Sequence, residues 1–387
     1  MCTEIGIYGN IITYSNKAKT TSIKIKFIKL HPYCYNYKGQ SMEKSLKNIL
    51  MIGTGGTIAS KTYENGLTPG LTTDELLSYV PDIRKVCNVN CIQVCSIDST
   101  NMSPKYWKMI VKTIEDNYNA YDGFVICHGT DTMAYTAAAL SYMIQNSQKP
   151  IVITGSQRPI SSDITDAKTN LLDSFIYASD EESQNISIVF GGKVIAGTRA
   201  KKERAKSFNA FTSINFPSPA IIQDNRVIRY LNQEKIIEKT AFYHEMSESI
   251  FLFKLIPGAK PEILRYLFNH YDCIVIESFG VGGLPQELAN EFYQVMQEAI
   301  ENQGKIVVMA TQVVNEGSDM TVYEVGKKVK SDFNLIEAYD MTLESTITKL
   351  MWLMGRPKMK YSKLKNEFYR TINNDIIFTR NLGEETL

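Results

Sequence analysis

The stretch Met51-Ile-Gly-Thr-Gly-Gly-Thr-Ile-Ala-Ser60 places three glycines and two threonines in five consecutive positions, directly after an apolar strand candidate at 49–52. Because glycine has no Cβ, such a turn brings backbone N–H groups close to a ligand. The dinucleotide pattern G-x-G-x-x-G would require glycine where Ile58 stands, and the Gly-Lys-Ser/Thr of a phosphate-binding loop is absent. The pattern therefore predicts a glycine turn that presents the Thr57 hydroxyl, and a tight turn with a buried threonine remains the alternative.

A second stretch, Cys127-His-Gly-Thr-Asp-Thr-Met-Ala-Tyr135, has the same strand-to-turn character. Residues 123–127 predict a buried strand, and residues 132–143, rich in alanine and aromatic residues, predict a helix. Residues 128–131 then lie at the carboxyl end of a strand and the amino end of a helix, where ligands bind in open α/β sheets. We expect the two threonine-bearing turns to share one crevice.

Thr54-Gly-Gly-Thr-Ile58 and His128-Gly-Thr-Asp-Thr-Met133 resemble the two signature motifs of the L-asparaginases, specifically the type I, cytoplasmic-type bacterial and archaeal enzymes. The similarity extends from about residue 49 to the end of the chain. It includes five further segments: Ile97–Met102, Ile153–Ser156, Ala196–Arg204, Phe279–Gly283 and Asp340–Thr342. The resemblance implies a two-domain α/β fold with a larger, doubly wound, mostly parallel sheet and a smaller C-terminal α/β domain.

The resemblance also implies catalytic residues. The family's attacking hydroxyl falls on Thr57, and the threonine and aspartate of the second motif fall on Thr130 and Asp131. The family's lysine falls on Lys202. A threonine needs a base before it can attack, and a lysine amine can be that base only when it is neutral. In an extended segment Lys201 and Lys202 point to opposite faces, so only one enters the crevice. A solvated basic face is the alternative for this run.

For the substrate, the resemblance implies that Asp131 pairs with an α-ammonium group. Ser99 and Thr100 resemble the residues that bind the α-carboxylate, and an ordinary polar turn is the alternative. From their position alone, we expect backbone N–H groups near Thr130 to stabilise the oxyanion. Of the four histidines only His128 lies in a motif, which leaves few candidates for a Ser-His-Asp arrangement.

The loop at 61–70 should close over the substrate, and in the family it usually carries a tyrosine that contacts the nucleophile. Relatives often have Gly-Tyr where this chain has Gly66-Leu67. Tyr63 is the loop's only tyrosine and is therefore the predicted lid residue. Gly66 and Gly70 suit a mobile lid. No metal or organic cofactor is implied.

Composition limits the class of protein. The chain has 387 residues, 44% of them hydrophobic and 21% charged, which is ordinary for a soluble globular protein. A net charge of +1 argues against nucleic-acid binding through bulk electrostatics. The longest apolar runs are too short to cross a bilayer, and no early segment resembles a secretory signal. We therefore expect a cytoplasmic protein that acts on a small molecule, not on a membrane or a nucleic acid.

The seven cysteines do not form an evident disulfide framework, because their number is odd and they are scattered. Cys87, Cys91 and Cys95 are spaced four apart, but no fourth ligand lies nearby. We expect these thiols to fill the core, and no metal site.

Four segments are predicted. Residues 1–41 hold six lysines and one acidic residue, without a motif, and are expected to be a poorly ordered arm or an extension upstream of a start at Met42. Residues 42–230 form the catalytic domain, 231–249 an irregular linker, and 250–387 the smaller domain.

The predicted reaction is hydrolysis of L-asparagine to L-aspartate and ammonia, through an acyl-enzyme formed on Thr57. The resemblance implies a homodimer or homotetramer. Two alternatives remain: an ammonia-supplying subunit of a tRNA-dependent amidotransferase, and an amino-acid sensor without turnover. The short arm and the segment at 199–204 favour the free-standing hydrolase.

Overall fold

The computed structural model describes the backbone of residues 5–8, 11–16, 19–23, 45–63, 66–322 and 335–377, and the side chains of residues 45–61, 70–322 and 335–377. The chain divides into two compact units, Met1–Ser45 and Leu46–Leu387.

The first unit contains a three-stranded antiparallel sheet in the order β1 (Ile5–Tyr8), β2 (Ile11–Asn16) and β3 (Lys19–Ile23). Most of the remaining predicted arm, residues 24–41, lies outside the described residues. Its assignment as a poorly ordered or upstream arm therefore stays a prediction.

The second unit contains strands that are numbered here in chain order. They are β4 (Asn48–Gly55), β5 (Ser60–Tyr63), β6 (Gly66–Pro69), β7 (Asn88–Ile97), β8 (Gly123–Cys127), β9 (Ile144–Gln145), β10 (Pro150–Thr154), β11 (Asn185–Phe190), β12 (Lys193–Ala196), β13 (Ala200–Lys202), β14 (Phe211–Ser213), β15 (Ala220–Gln223), β16 (Arg226–Arg229), β17 (Ala241–Phe242), β18 (Ile250–Lys254), β19 (Cys273–Ser278), β20 (Ile306–Thr311) and β21 (Ile336–Glu337).

The helices of this unit are numbered in the same way. They are α1 (Thr73–Ser78), α2 (Ile83–Val86), α3 (Pro104–Asn117), α4 (Met133–Met143), α5 (Ala167–Ser179), α6 (Glu262–His270), α7 (Ala289–Gln303), α8 (Leu343–Gly355) and α9 (Tyr361–Tyr369). None of the helices within the described ranges is long and apolar enough to cross a membrane.

The larger sheet has eight strands in the order β16-β15-β12-β11-β10-β8-β4-β7. The five strands from β11 to β7 are parallel, and β12, β15 and β16 are antiparallel. Every residue of β8 and β10 is buried, as expected for parallel strands covered by helices on both faces. This confirms the predicted doubly wound sheet with an antiparallel addition.

Helix α3 shows how the local sequence sets its start and its buried face. Pro104 is the first residue of α3, where its missing N–H costs nothing. Trp107, Ile110, Val111 and Ile114 recur at helical spacing and are all buried. The helix therefore packs this face against the core.

A smaller parallel sheet, in the order β18-β19-β20-β21, forms the C-terminal domain predicted from the sequence. Helices α6 and α7 pack together beside it, and α8 returns to pack on α4 of the larger domain. Because both sheets belong to one compact unit, the boundaries at 230 and 250 stay a prediction.

Candidate active site

The turns after β4 and β8 meet because the two strands are parallel neighbours, with Gly53 opposite Cys127. The Thr54 hydroxyl donates to the Cys127 carbonyl at 2.8 Å. Gly56 has φ of +80°, and a Cβ at this position would lie 2.4 Å from Gly129 Cα. The chain therefore needs glycine at position 56, both for its conformation and for the close approach of the two motifs.

Thr57 begins a short 3-10 helix that ends at Ala59. Its side chain is half-buried, whereas Ile58 and Ala59 are buried. Among the side chains that the structure describes, the Thr57 hydroxyl has no hydrogen-bond partner. The turn brings Thr57 next to Gly56, which closely approaches Gly129 of the second motif, and its role as nucleophile stays a prediction.

Lys202 connects the residues of the second motif. Its Nζ donates to Thr130 Oγ1 at 2.7 Å and to Asp131 Oδ1 at 2.7 Å. The Lys202 side chain is 17% exposed and that of Asp131 is 58% exposed. Lys201, its neighbour in β13, pairs instead with Glu344 at 3.4 Å. The two lysines therefore have the opposite orientations that an extended segment predicts.

Ser99 holds the second motif in place, whereas Thr100 does not. The Ser99 hydroxyl accepts from Asp131 N at 3.3 Å, and the Ser99 carbonyl accepts from the Thr132 hydroxyl at 2.8 Å. The exposed Thr100 donates its hydroxyl to Asp98 Oδ1 at 2.9 Å. The structure brings Ser99 to the site and leaves the Thr100 hydroxyl bound within its own turn.

His128 is fully buried, and both of its ring nitrogens are within hydrogen-bond distance of protein groups. Its Nδ1 lies 2.7 Å from the Gly129 carbonyl, and its Nε2 lies 2.9 Å from the Thr136 hydroxyl. Trp107 Nε1 donates to the same hydroxyl at 2.9 Å. Because the Gly129 carbonyl can only accept, the neutral ring carries its proton on Nδ1, and Nε2 accepts from the Thr136 hydroxyl. Burial lowers the pKa of His128 to about 4, so the ring is neutral at neutral pH.

Gln157 is a site residue that sequence reasoning missed. Its Oε1 accepts from Thr130 Oγ1 at 3.2 Å. It follows Ser156 directly, at the carboxyl end of the buried strand β10, which neighbours β8. This position could have indicated a site residue, because ligands bind at the carboxyl ends of the strands in such a sheet. The motif resemblance ends one residue earlier.

The predicted lid residue Tyr63 ends β5, which forms an antiparallel hairpin with β6. Its side chain lies outside those described, so its role stays a prediction.

Of the three spaced cysteines, Cys87 is buried and Cys91 and Cys95 are half-buried. Burial raises the pKa of Cys87 and of Cys95 to about 11, which keeps both thiols protonated. Within the described residues, no group of three His, Cys, Asp or Glu side chains is arranged to hold a metal ion.

Two family models match the chain. The model described as Asparaginase, N-terminal covers residues 48–235, and the model described as Glutaminase/Asparaginase C-terminal domain covers residues 249–368. An L-asparaginase from Thermococcus kodakarensis is 37% identical over 80% of this chain and 93% of that protein. A glutamyl-tRNA(Gln) amidotransferase subunit from Methanosphaera stadtmanae is 36% identical over 80% of this chain and 72% of that protein.

Solved structures agree with these matches. The thermostable L-asparaginase from Thermococcus kodakarensis superposes with a TM-score of 0.80 at 35% identity, over 86% of this chain and all (100%) of that chain. L-asparaginase I from Vibrio cholerae superposes with a TM-score of 0.78 at 28% identity, with the same coverage of 86% and 100%. The chain therefore belongs to the asparaginase family of amidohydrolases.

Proposed function

We propose that this protein hydrolyses L-asparagine to L-aspartate and ammonia, with Thr57 as the nucleophile. The observation that carries the proposal is the contact of Lys202 with Thr130 and Asp131, 2.7 Å in each case, at the edge where the Thr57 turn meets the second motif. Acyl transfer from an amide requires a nucleophile and a base beside it, and in this proposal the Thr57 hydroxyl and the Lys202 amine supply them.

In this proposal Thr57 Oγ1 attacks the side-chain amide carbon, and its proton passes to the Thr130–Lys202 pair. The C–N bond then breaks, the nitrogen takes up that proton, and ammonia leaves the acyl-enzyme. Water attacks the ester, releases aspartate and returns a proton to Thr57. Backbone N–H groups at the turn before α4 are proposed to stabilise the oxyanion that forms in each half of the reaction.

Asp131 is proposed to bind the substrate's α-ammonium group. One of its oxygens accepts from Lys202, and the side chain is 58% exposed, so the carboxylate remains accessible to a ligand. Ser99, with its hydroxyl and backbone, and Thr100 are proposed to bind the α-carboxylate. In that role the Thr100 hydroxyl must exchange its bond to Asp98 for one to the substrate.

A second candidate function is the supply of ammonia to a tRNA-dependent amidotransferase. It is favoured by the 36% identity to the amidotransferase protein from Methanosphaera stadtmanae. Both candidates use the same threonine chemistry and differ in where the ammonia goes. Only the second requires a partner protein and charged tRNA.

The test is ammonia release by the purified protein alone, with L-asparagine, L-glutamine or no amide present. The proposal predicts steady ammonia release from L-asparagine without tRNA or a second protein. Release that appears only after charged tRNA and a copurifying partner are added would favour the second candidate. No release in either assay, together with saturable asparagine binding, would indicate a sensor.

We also propose that the protein is a homodimer or homotetramer in the cytoplasm, as the resemblance to type I enzymes implies. Light scattering on the purified protein would show two or four copies of the 43.8 kDa chain. A monomeric mass would reject this part of the proposal.

A further inference from the structure

The Gln157 side chain bridges Thr130 and the loop that follows Lys202. Its Oε1 accepts from Thr130 Oγ1 at 3.2 Å. Its Nε2 donates to the carbonyls of Arg204 at 3.2 Å and Ser207 at 3.1 Å. No step of the proposed reaction uses this residue, although it touches the same hydroxyl as Lys202.

The partners of Gln157 fix the direction of each hydrogen bond. Two carbonyl oxygens can only accept, so the amide nitrogen must face them. The amide oxygen therefore faces Thr130, and since that oxygen can only accept, the hydroxyl must donate its single proton to Gln157. Lys202 Nζ, 2.7 Å from Thr130 Oγ1, is then the donor in its own contact with Thr130. The hydrogen bonds therefore all point in one direction: Lys202 donates to Thr130, and Thr130 donates to Gln157.

Gln157 is held from behind by Asp166. The backbone N–H of Gln157 donates to both carboxylate oxygens of Asp166, each at 3.0 Å. The same carboxylate accepts from Arg158 N at 3.2 Å and from Asn170 Nδ2 at 3.1 Å. With its backbone and its amide nitrogen both bound, Gln157 cannot readily follow the Thr130 hydroxyl if that hydroxyl turns away.

We propose that Gln157 is a positioning residue that keeps the Thr130 proton directed away from Lys202, and so favours the protonated lysine; this inference rests on the proposed function. A neutral amine offers a lone pair, so in that state Thr130 turns its proton to Lys202 Nζ and leaves Gln157 Oε1. The bond to Gln157 is thus kept with the charged lysine and lost with the neutral one, which is the state that can accept the proton of the nucleophile.

The other charged groups around Lys202 do not bond to Gln157, so they are not part of this exchange of hydrogen bonds. Asp131 pairs with Lys202 directly at 2.7 Å. Glu203 and Arg204, which follow it in the chain, approach each other at 3.8 Å. Lys201 faces the other way, towards Glu344. A change at Gln157 therefore acts on Lys202 through Thr130.

The experiment compares the pH dependence of kcat/KM for asparagine hydrolysis in the wild type, Gln157→Met and Gln157→Glu. Methionine has a similar volume but no acceptor for the Thr130 proton, so protonated Lys202 loses support. The acidic limb of the kcat/KM profile should therefore move to lower pH, by about half to one unit. Glutamate adds a negative charge that favours protonated Lys202, so the limb should move up. Gln148→Met, at an exposed amide bonded to the Glu238 carbonyl, is the control and should leave the limb in place. Limbs that stay fixed in both Gln157 variants, or move the same way, would overturn the proposal.

A second measurement does not depend on activity. If the Thr130–Gln157 bond exists, the effects of Thr130→Val and Gln157→Met on the free energy of unfolding should be non-additive in a double-mutant cycle. Additive effects would overturn the Gln157 proposal even if the wild type hydrolyses asparagine. Conversely, a wild type that releases no ammonia, with a coupled cycle, would reject the proposed function and retain the Gln157 contact.

Discussion

Lys201 and Lys202 are adjacent in β13, but their side chains point to opposite faces of the strand. Lys202 bonds to Thr130 and Asp131, and Lys201 pairs with Glu344 on α8. The period of two along a strand produces this separation, and it gives the molecule an internal control: two lysines with one backbone and different partners.

Lys202→Met should lower kcat/KM for asparagine by at least about a hundredfold, because it removes the amine that takes part in proton transfer. Lys201→Met should leave kcat/KM near the wild-type value, although it leaves the buried Glu344 carboxylate without its cation and should lower the unfolding temperature. Steady-state kinetics well below the unfolding temperature of each variant separates the two effects. Equal losses of activity in both variants would reject the assigned role of Lys202.

For single residues, the sequence shows which side chains are charged but not whether they are buried or exposed. The run containing Arg199 has the composition of a solvated basic face, yet the Arg199 side chain is 0% exposed. It donates to the Asp340 side chain at 2.8 Å and to the Asp340 carbonyl at 2.7 Å. No local pattern encodes a partner 141 residues away, so only the motif resemblance distinguishes these cations before the fold is known.

Among the elements, the turn after β4 imposes the strictest requirement on the sequence. Gly56 has φ of +80° and ψ of 179°, a region that is nearly restricted to glycine. Its Cα faces the Gly129 backbone so closely that a methyl group would overlap it. The distance between the two motifs thus depends on a missing side chain.

Gly56→Ala should lower the free energy of unfolding by roughly 3 kcal/mol or more, and should also reduce activity, since both the backbone strain and the overlap with Gly129 must be relieved by moving the motifs apart. Gly304→Ala is the matched control. Gly304 also has positive φ, +65°, but an added Cβ there meets nothing within 4 Å. Its cost should be only about 1 kcal/mol, with activity retained. Chemical denaturation of both variants provides the comparison, and similar losses would contradict the close-approach argument.

The elements that could be predicted are those with buried, uninterrupted apolar strands. Strand β8 has the predicted bounds, residues 123–127, because a parallel strand covered on both faces is an uninterrupted apolar run. The hairpin of β15 and β16 was not predicted, because it lies in a region with prolines and many charges. It extends the sheet at its edge, where strands can carry exposed polar residues.

At the scale of the whole molecule, the C-terminal segment returns to the larger domain and binds to several of its elements. The Thr198 hydroxyl donates to the Asn373 carbonyl at 2.6 Å, and Asn373 Nδ2 donates to the Ser141 hydroxyl and the Ile186 carbonyl, both at 2.9 Å. Lys349 of α8 is buried and ion-paired with Asp375. These contacts tie the C-terminal segment to Thr198, two residues before the strand that carries Lys202, and to α8, which no motif in the sequence indicates.

Asp173 of α5 should make the stability of the whole fold depend on pH. Burial raises its pKa from 3.8 to about 6, and it forms no ion pair within the described residues. Its charged form is therefore disfavoured in the folded state. The resulting loss of stability is absent below about pH 4, grows as pH rises from 4 to 6, and is complete above that.

Asp173→Asn should raise the free energy of unfolding at pH 7.5 by on the order of 1 to 2 kcal/mol, allowing for partial solvent screening, and should change it little at pH 4. The exposed Asp163→Asn is the control, with an expected change below about 0.5 kcal/mol at either pH. Denaturant unfolding at the two pH values gives both numbers. A destabilised Asp173→Asn at pH 7.5 would show that the carboxylate has a stabilising partner.

The measurement that tests the central claim most directly is kcat/KM for asparagine in Thr57→Ala and Thr57→Ser, with circular dichroism spectra to show that both are folded. If the Thr57 hydroxyl is the nucleophile, alanine should lower kcat/KM by at least roughly a thousandfold, while serine, which keeps a hydroxyl, should retain measurable turnover. A folded Thr57→Ala protein with turnover near that of the wild type would contradict the account.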